Sequence, residues 1–270
     1  MIIDFHTHVF PDKIAARTID TLSKKGGIPP FSDGSVAGLL ARMEEANVDI
    51  CVNLPVLTSP SQFDSVNRFA AEINERFADQ ERRIISFAGI HPLCEDIEEK
   101  MKWIRAQGFL GVKIHPDYQD TFINDENYLK ILRAAKEEDL IVVTHAGVDD
   151  GYPDCPVHCP PNRTLDAIRK VGHSKLVLAH YGGNRMEDQV LELLAGEDVY
   201  FDTAYLLRFL DKEKFFRILE KHGDDRILFA SDSPWSDIRT DVEILRSYSL
   251  NPNTEQKIFA DNATKLLGIK

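Results

Sequence analysis

Five short stretches of this chain carry side chains suited to holding a cation. "HTH" sets His6 and His8 two residues apart, and "KIH" does the same for Lys113 and His115. On a β-strand that spacing puts both members of a pair on one face. His145, His180 and Asp232 stand singly, each where an apolar run ends. An imidazole pair alone reads equally well as two partly buried histidines satisfied by hydrogen bonds. The distribution of the rest goes further. Six of the nine histidines (His6, His8, His91, His115, His145 and His180) finish apolar runs, and His158, His173 and His222 fall elsewhere. Polar side chains at the ends of buried strands cost free energy unless something pairs with them. One bound cation pairs with several at once, and imidazole is the commonest protein metal ligand.

The elements that must position these residues alternate along the whole chain. Eight apolar, β-branched runs occur at 1–6, 49–56, 84–92, 109–116, 140–147, 175–183, 199–205 and 226–234. Such near-continuous runs suit parallel strands covered on both faces. Amphipathic segments with helical spacing follow them at 35–48, 65–80, 95–108, 127–139, 163–172, 186–196 and 212–223, with a last one at 255–268. No linker or composition break interrupts the series. The reading is one domain over 1–270, an α/β chain closed as a (β/α)8 TIM barrel. In that fold the active site lies at the C-terminal strand ends, where the polar residues stand. An open doubly wound sheet is the rival, and the lack of a GxGxxG after any strand weighs against a dinucleotide site.

Composition narrows the partners. The 270 residues are 43% hydrophobic and 28% charged, ordinary for a globular protein able to bury a large core. A net charge of −12 argues against nucleic acid and anionic membrane as partners. No stretch approaches the roughly 20 apolar residues of a membrane span, and no signal peptide is evident. Four sparse cysteines, Cys51, Cys94, Cys155 and Cys159, read as thiols in a cytoplasmic protein.

The motifs "IIDFHTH", "GVKIHP", "THAG", "LAHYGG" and "FASDSPW", in this order over essentially the full chain, resemble the amidohydrolase superfamily. Within it the chain is similar to amidohydrolase family 2, the branch that includes aminocarboxymuconate semialdehyde decarboxylase. The resemblance implies one or two divalent metal ions, zinc being expected, held by His6, His8, His145 and Asp232. It implies that His180 meets the substrate or the reacting water. Lys113 matches a strand-four lysine that is carboxylated and bridges two metals in some members, whereas the decarboxylase branch uses one metal without that bridge. Lys113 is therefore open as a carbamate, as an ammonium for a substrate carboxylate, or as a structural ion-pair partner. A homodimer is consistent with the family.

A zinc ion so held keeps a position for water and lowers the pKa of that water toward about 7. Asp232 can touch the metal and accept the water proton, and His180 can polarise a carbonyl. The primary reading is a hydrolase that turns metal-activated water on an amide, ester or lactone of a small carboxylated metabolite. A decarboxylase or hydratase of the same branch is the alternative. A PHP-type phosphoesterase and a non-catalytic metal-binding barrel are further rivals. His115, Arg208 and Trp235 are the candidate substrate contacts, Arg208 as a bidentate clamp. Asp202 and Asp4 are candidates to order the histidines. Cys155, His158 and Cys159, in the long loop 147–163, could ligate a further ion. A rigid, proline-set substrate loop with incidental thiols is the preferred reading there, since no fourth ligand lies near in sequence.

Overall fold

The computed structural model describes residues 1–80, 82–152 and 155–269. The expected strand regions all form: β1 (Ile3–Thr7), β2 (Ile50–Asn53), β3 (Arg83–Ser86), β4 (Ala88–Gly89), β5 (Gly111–Ile114), β6 (Ile141–Thr144), β7 (Leu176–Leu178), β8 (Tyr200–Asp202) and β9 (Ile227–Leu228). Every neighbouring pair is parallel, in the orders β1-β2-β3 and β4 through β9. Backbone hydrogen bonds join the two sheets at both seams. Phe87 N–H donates to Asn53 O across the break between β3 and β4. Phe5 N–H to Phe229 O, Asp232 N–H to His6 O and His8 N–H to Ser233 O tie β1 to the end of the chain's last strand region. These bonds close the TIM barrel.

Helices cover it: α1 (Asp12–Gly26), α2 (Val36–Ala46), α3 (Phe63–Phe77), α4 (Ile97–Ala106), α5 (Glu126–Glu137), α6 (Pro161–Val171), α7 (Glu187–Leu193), α8 (Lys212–His222), α9 (Ile238–Ser247), α10 (Pro252–Gln256) and α11 (Asn262–Leu267). Two of these, α1 and α9, have no counterpart among the expected helices. The expected C-terminal helix is α10 and α11 joined through a π-helical turn at Lys257–Asp261.

The interior of the barrel is filled by Ile3, Phe5, Ile50, Val52, Phe87, Ile141, Val143, Val177 and Leu228, with Ala263, Leu266 and Leu267 of α11 beneath. A second, larger apolar layer lies between strands and helices. The third strand region is one run in sequence and two strands in the fold. Backbone groups left free at the break are met by side-chain amides of α3. Asn74 pairs with both Ser86 N–H and Ser86 O (2.7 and 2.9 Å), and Asn67 with both Gly89 N–H and Gly89 O (2.7 and 3.0 Å). These amides stand where a neighbouring strand's backbone would, satisfying groups that burial would otherwise orphan. At the end of β6, Gly147 has φ +83°, and a Cβ there would lie 2.2 Å from Asn184 N. Glycine thus lets the segment carrying His145 close against the segment carrying His180.

Candidate active site

The strand ends bring their polar residues to one mouth of the barrel. The pairing of β1 with β2 shifts register between Asp4 and Thr7, so strict alternation does not run through "HTH". His6 and His8 still meet, with ring centroids 5.0 Å apart. Asp4, buried, accepts from His6 N–H and from Ser231, tying the first strand to the turn before Asp232.

The hydrogen bonds decide what each ring offers the cavity. His6 Nδ1 is 2.9 Å from Asp202 Oδ2, and the other oxygen of Asp202 accepts from His180 N–H and Ala204 N–H. His8 Nδ1 is 2.9 Å from Leu54 O, which can only accept. Both rings therefore carry their proton on Nδ1 and present an Nε2 lone pair. Those lone pairs face one carboxylate oxygen, Asp232 Oδ1, at 3.5 Å from His6 and 3.0 Å from His8. Three electron-rich atoms pointing at one another call for positive charge, which Lys113 Nζ, beside His6 Nε2, supplies in part. Ligand atoms about 2.0–2.2 Å from a shared zinc lie about 3.0–3.5 Å apart, so the spacing fits a metal ion. Burial, with Lys113 nearby, holds His6 well below the ordinary imidazole value, in the neutral form a metal takes. Burial opposes ionisation of Asp232, but His6, His8 and His180 outweigh it and keep the group below the usual carboxylate range. Lys113 Nζ lies 3.0 Å from His6 Nε2, and burial lowers it to about 8 against the pull of Asp202, Asp232 and Asp149.

A second cluster joins His115, His145 and Asp149, and here the protons are used internally. His180 Nδ1 donates to Ala204 O (3.0 Å), so His180 Nε2 accepts from His145 Nδ1 (2.9 Å). His115 Nδ1 accepts from Tyr118 N–H, leaving Nε2–H to face Asp149 Oδ2 at 3.3 Å. The rings of Tyr118, His115 and His145 form a continuous stack, with centroids 3.9 and 4.3 Å apart. His145 Nε2 and Asp117 Oδ2, 3.8 Å apart, are buried without hydrogen-bond partners. Burial moves Asp149 up to about 7 and holds His115 and His145 well below the ordinary imidazole value.

The structure thus gathers His6, His8 and Asp232, with Lys113 beside them. His145, expected on the same ion, lies in the neighbouring cluster. His180 and Asp232 both have left-handed backbones (φ +56° and +70°), fixed by the bonds from His180 N–H to Asp202 and from Asp232 N–H to His6 O. Such conformations cost a non-glycine residue free energy and cluster at functional sites. His115 and Trp235 line a cavity of about 580 Å³ that also holds His6, His8, Lys113 and His180. Arg208 is not brought into it. Its guanidinium donates to Trp235 O (3.1 Å) and lies over the Phe31 ring.

The loop cysteines do not converge. Cys155 is exposed, Cys159 is buried against Thr164, and His158 faces Asp117 and Asp120. Pro153 and Asp154, part of that loop, lie outside the described residues. Asp117 and Asp149 join the site without a signal in the sequence. Both sit in loops, and no local pattern marks them.

The amidohydrolase family model Amidohydro_2 matches residues 3–269. The chain belongs to this family. It is an enzyme fold of the amidohydrolase superfamily, and the family together with the convergent His/Asp donors supports a divalent metal. No curated protein matches the chain. Similar solved structures include a 2,6-dihydroxybenzoate decarboxylase from Rhizobium, at 16% identity and TM-score 0.69, covering 99% of this chain and 98% of that one. A 5-carboxyvanillate decarboxylase from Novosphingobium aromaticivorans, with bound manganese, is 14% identical with TM-score 0.70 over 100% and 97%. A TIM-barrel protein from Bordetella bronchiseptica is 16% identical with TM-score 0.78 over 99% and 98%. At these identities the likeness shows the fold. Among the described residues, no helix is long and apolar enough to cross a membrane.

Proposed function

We propose that this family member is a metal-dependent decarboxylase of a small carboxylic acid, with zinc as its ion. The observation that carries the reading is the meeting of two Nε2 lone pairs and the Asp232 carboxylate beside the buried Lys113, at the floor of a cavity. His6, His8 and Asp232 would hold the ion. Bound there, it supplies a Lewis acid for substrate oxygens. The imidazole donors favour zinc, although a carboxylate donor also suits the manganese bound by a structural neighbour.

The chain's own groups do the rest. Lys113 sets positive charge against the substrate carboxylate. Asp202 fixes the His6 ring and, through the backbone of His180, the far side of the site. As carbon dioxide leaves, the C–C bond breaks and its electron pair stays on carbon. That carbon takes a proton from solvent through the cavity mouth, because Asp232 is held ionised by His6, His8 and His180 and has none to give. His180 is poorly placed to donate, because its Nε2 accepts from His145 and its Nδ1 is bound to Ala204 O.

Hydrolysis through the same groups is the second reading, with Asp232 taking a proton from water. A panel of carboxylic acids, with esters and lactones of similar size, separates the two in protein loaded with zinc or manganese. Carbon dioxide release that chelation abolishes is the expected result. Ester or lactone cleavage without carbon dioxide would replace decarboxylation by hydrolysis.

A further inference from the structure

The metal donors and Lys113 take up only part of the cavity they line. Its volume of about 580 Å³ equals roughly 19 waters at about 30 Å³ each. A carboxylate head at Lys113 accounts for only a few of those places.

The outer part is walled by two helices. Helix α1 buries Ala15 and Ile19 against the core. Its Ile14, Thr18 and Leu22 follow i, i+4, i+8 spacing, so they form a separate stripe, and all three line the cavity. Val66 and Phe69 of α3 line it as well. Ile14 is 43% exposed. The α1 stripe, apolar but for the Thr18 hydroxyl, and the α3 pair therefore form one slot in the cavity that the metal donors also line. Lys13 and Lys25 line the same cavity, and Lys25 Nζ lies 3.2 Å over the Tyr152 ring. On a chain of net charge −12, these lysines favour entry of an anion.

We infer that the substrate is an amphipathic carboxylic acid: a carboxylate head at Lys113 and an apolar body of a dozen or so non-hydrogen atoms between α1 and α3. The inference rests on the carboxylate end of the reading above and adds the body that the cavity is shaped to bury. Each methylene placed in the slot strengthens binding by about fourfold.

The test uses straight-chain carboxylates from butanoate to dodecanoate, titrated calorimetrically into metal-loaded full-length protein. The expected result is a dissociation constant that falls about three- to fourfold per methylene and levels off once the slot is full. Leu22→Asp and, on the opposite wall, Val66→Asp should flatten the series while leaving butanoate affinity and metal content unchanged. Lys113→Met should weaken every member equally and leave the slope. A flat wild-type series, or a slope that survives both wall substitutions, overturns the inference. Carbon dioxide release from acids of the panel above alongside a flat alkanoate series would remove the apolar body and keep the decarboxylase. A steep alkanoate series with no carbon dioxide release from any acid of that panel would do the reverse.

Discussion

Two clusters of three donors share one barrel mouth, and they differ in where their protons go. In the first, Asp202 and Leu54 O take the Nδ1 protons of His6 and His8, so both Nε2 lone pairs turn toward Asp232. In the second, His115 turns its Nε2–H toward Asp149, and His145 Nδ1 donates to His180. The residue types are nearly the same. The first cluster sets two imidazole lone pairs and a carboxylate together with only Lys113 beside them; the second is hydrogen-bonded internally except at His145 Nε2, which faces Asp117 Oδ2 without a partner. Residue type and proximity therefore do not distinguish a metal site from a hydrogen-bonded network. The acceptor behind each ring does.

Substitutions can break that contrast or sharpen it. Asp232→Asn removes the shared carboxylate and should lower turnover by roughly 10³-fold, with metal content lost in elemental analysis. Asp202→Asn keeps the shape but can offer a donor to His6 Nδ1, which favours the wrong tautomer. Metal affinity should fall about 10- to 100-fold, read by competition with a chelator. Asp149→Asn should leave metal stoichiometry at the wild-type value while turnover falls about tenfold. A halved metal content in that variant would make the second cluster a metal site and erase the distinction. Arg208→Gln, outside both clusters, should change KM by less than about threefold. It should cost about 1 kcal/mol of stability through the lost bond to Trp235 O, measured by denaturant titration.

Much of this was legible in the residues. Near-continuous apolar runs marked every strand region, because parallel strands covered on both faces tolerate few polar side chains. The polar exceptions at their ends marked the mouth. What stayed hidden depended on partners distant in sequence. The break in the third strand region is supported by Asn67 and Asn74 of α3, whose carboxamides show no pairing in a one-dimensional reading. Helix α1 divides its apolar residues between a core stripe and a cavity stripe, so neither is dense enough to stand out. Helix α9 has buried Ile238, Val242 and Leu245 at helical spacing, and its polar first turn obscured them. The grouping of His145 with His115 depends on Asp117, Tyr118 and Asp149, loop residues whose positions only tertiary contacts fix. Arg208 has the chemistry of a carboxylate clamp, but a guanidinium packs on an aromatic ring as readily as it grips a carboxylate.

Helix α11 sets Ala263, Leu266 and Leu267 under the barrel interior, opposite the mouth. With that end stoppered, reactant and spent product share a doorway. Product that lingers there blocks the next arrival, so its accumulation should slow the enzyme as a competitive inhibitor, and departure rather than bond breaking can set the pace of each cycle.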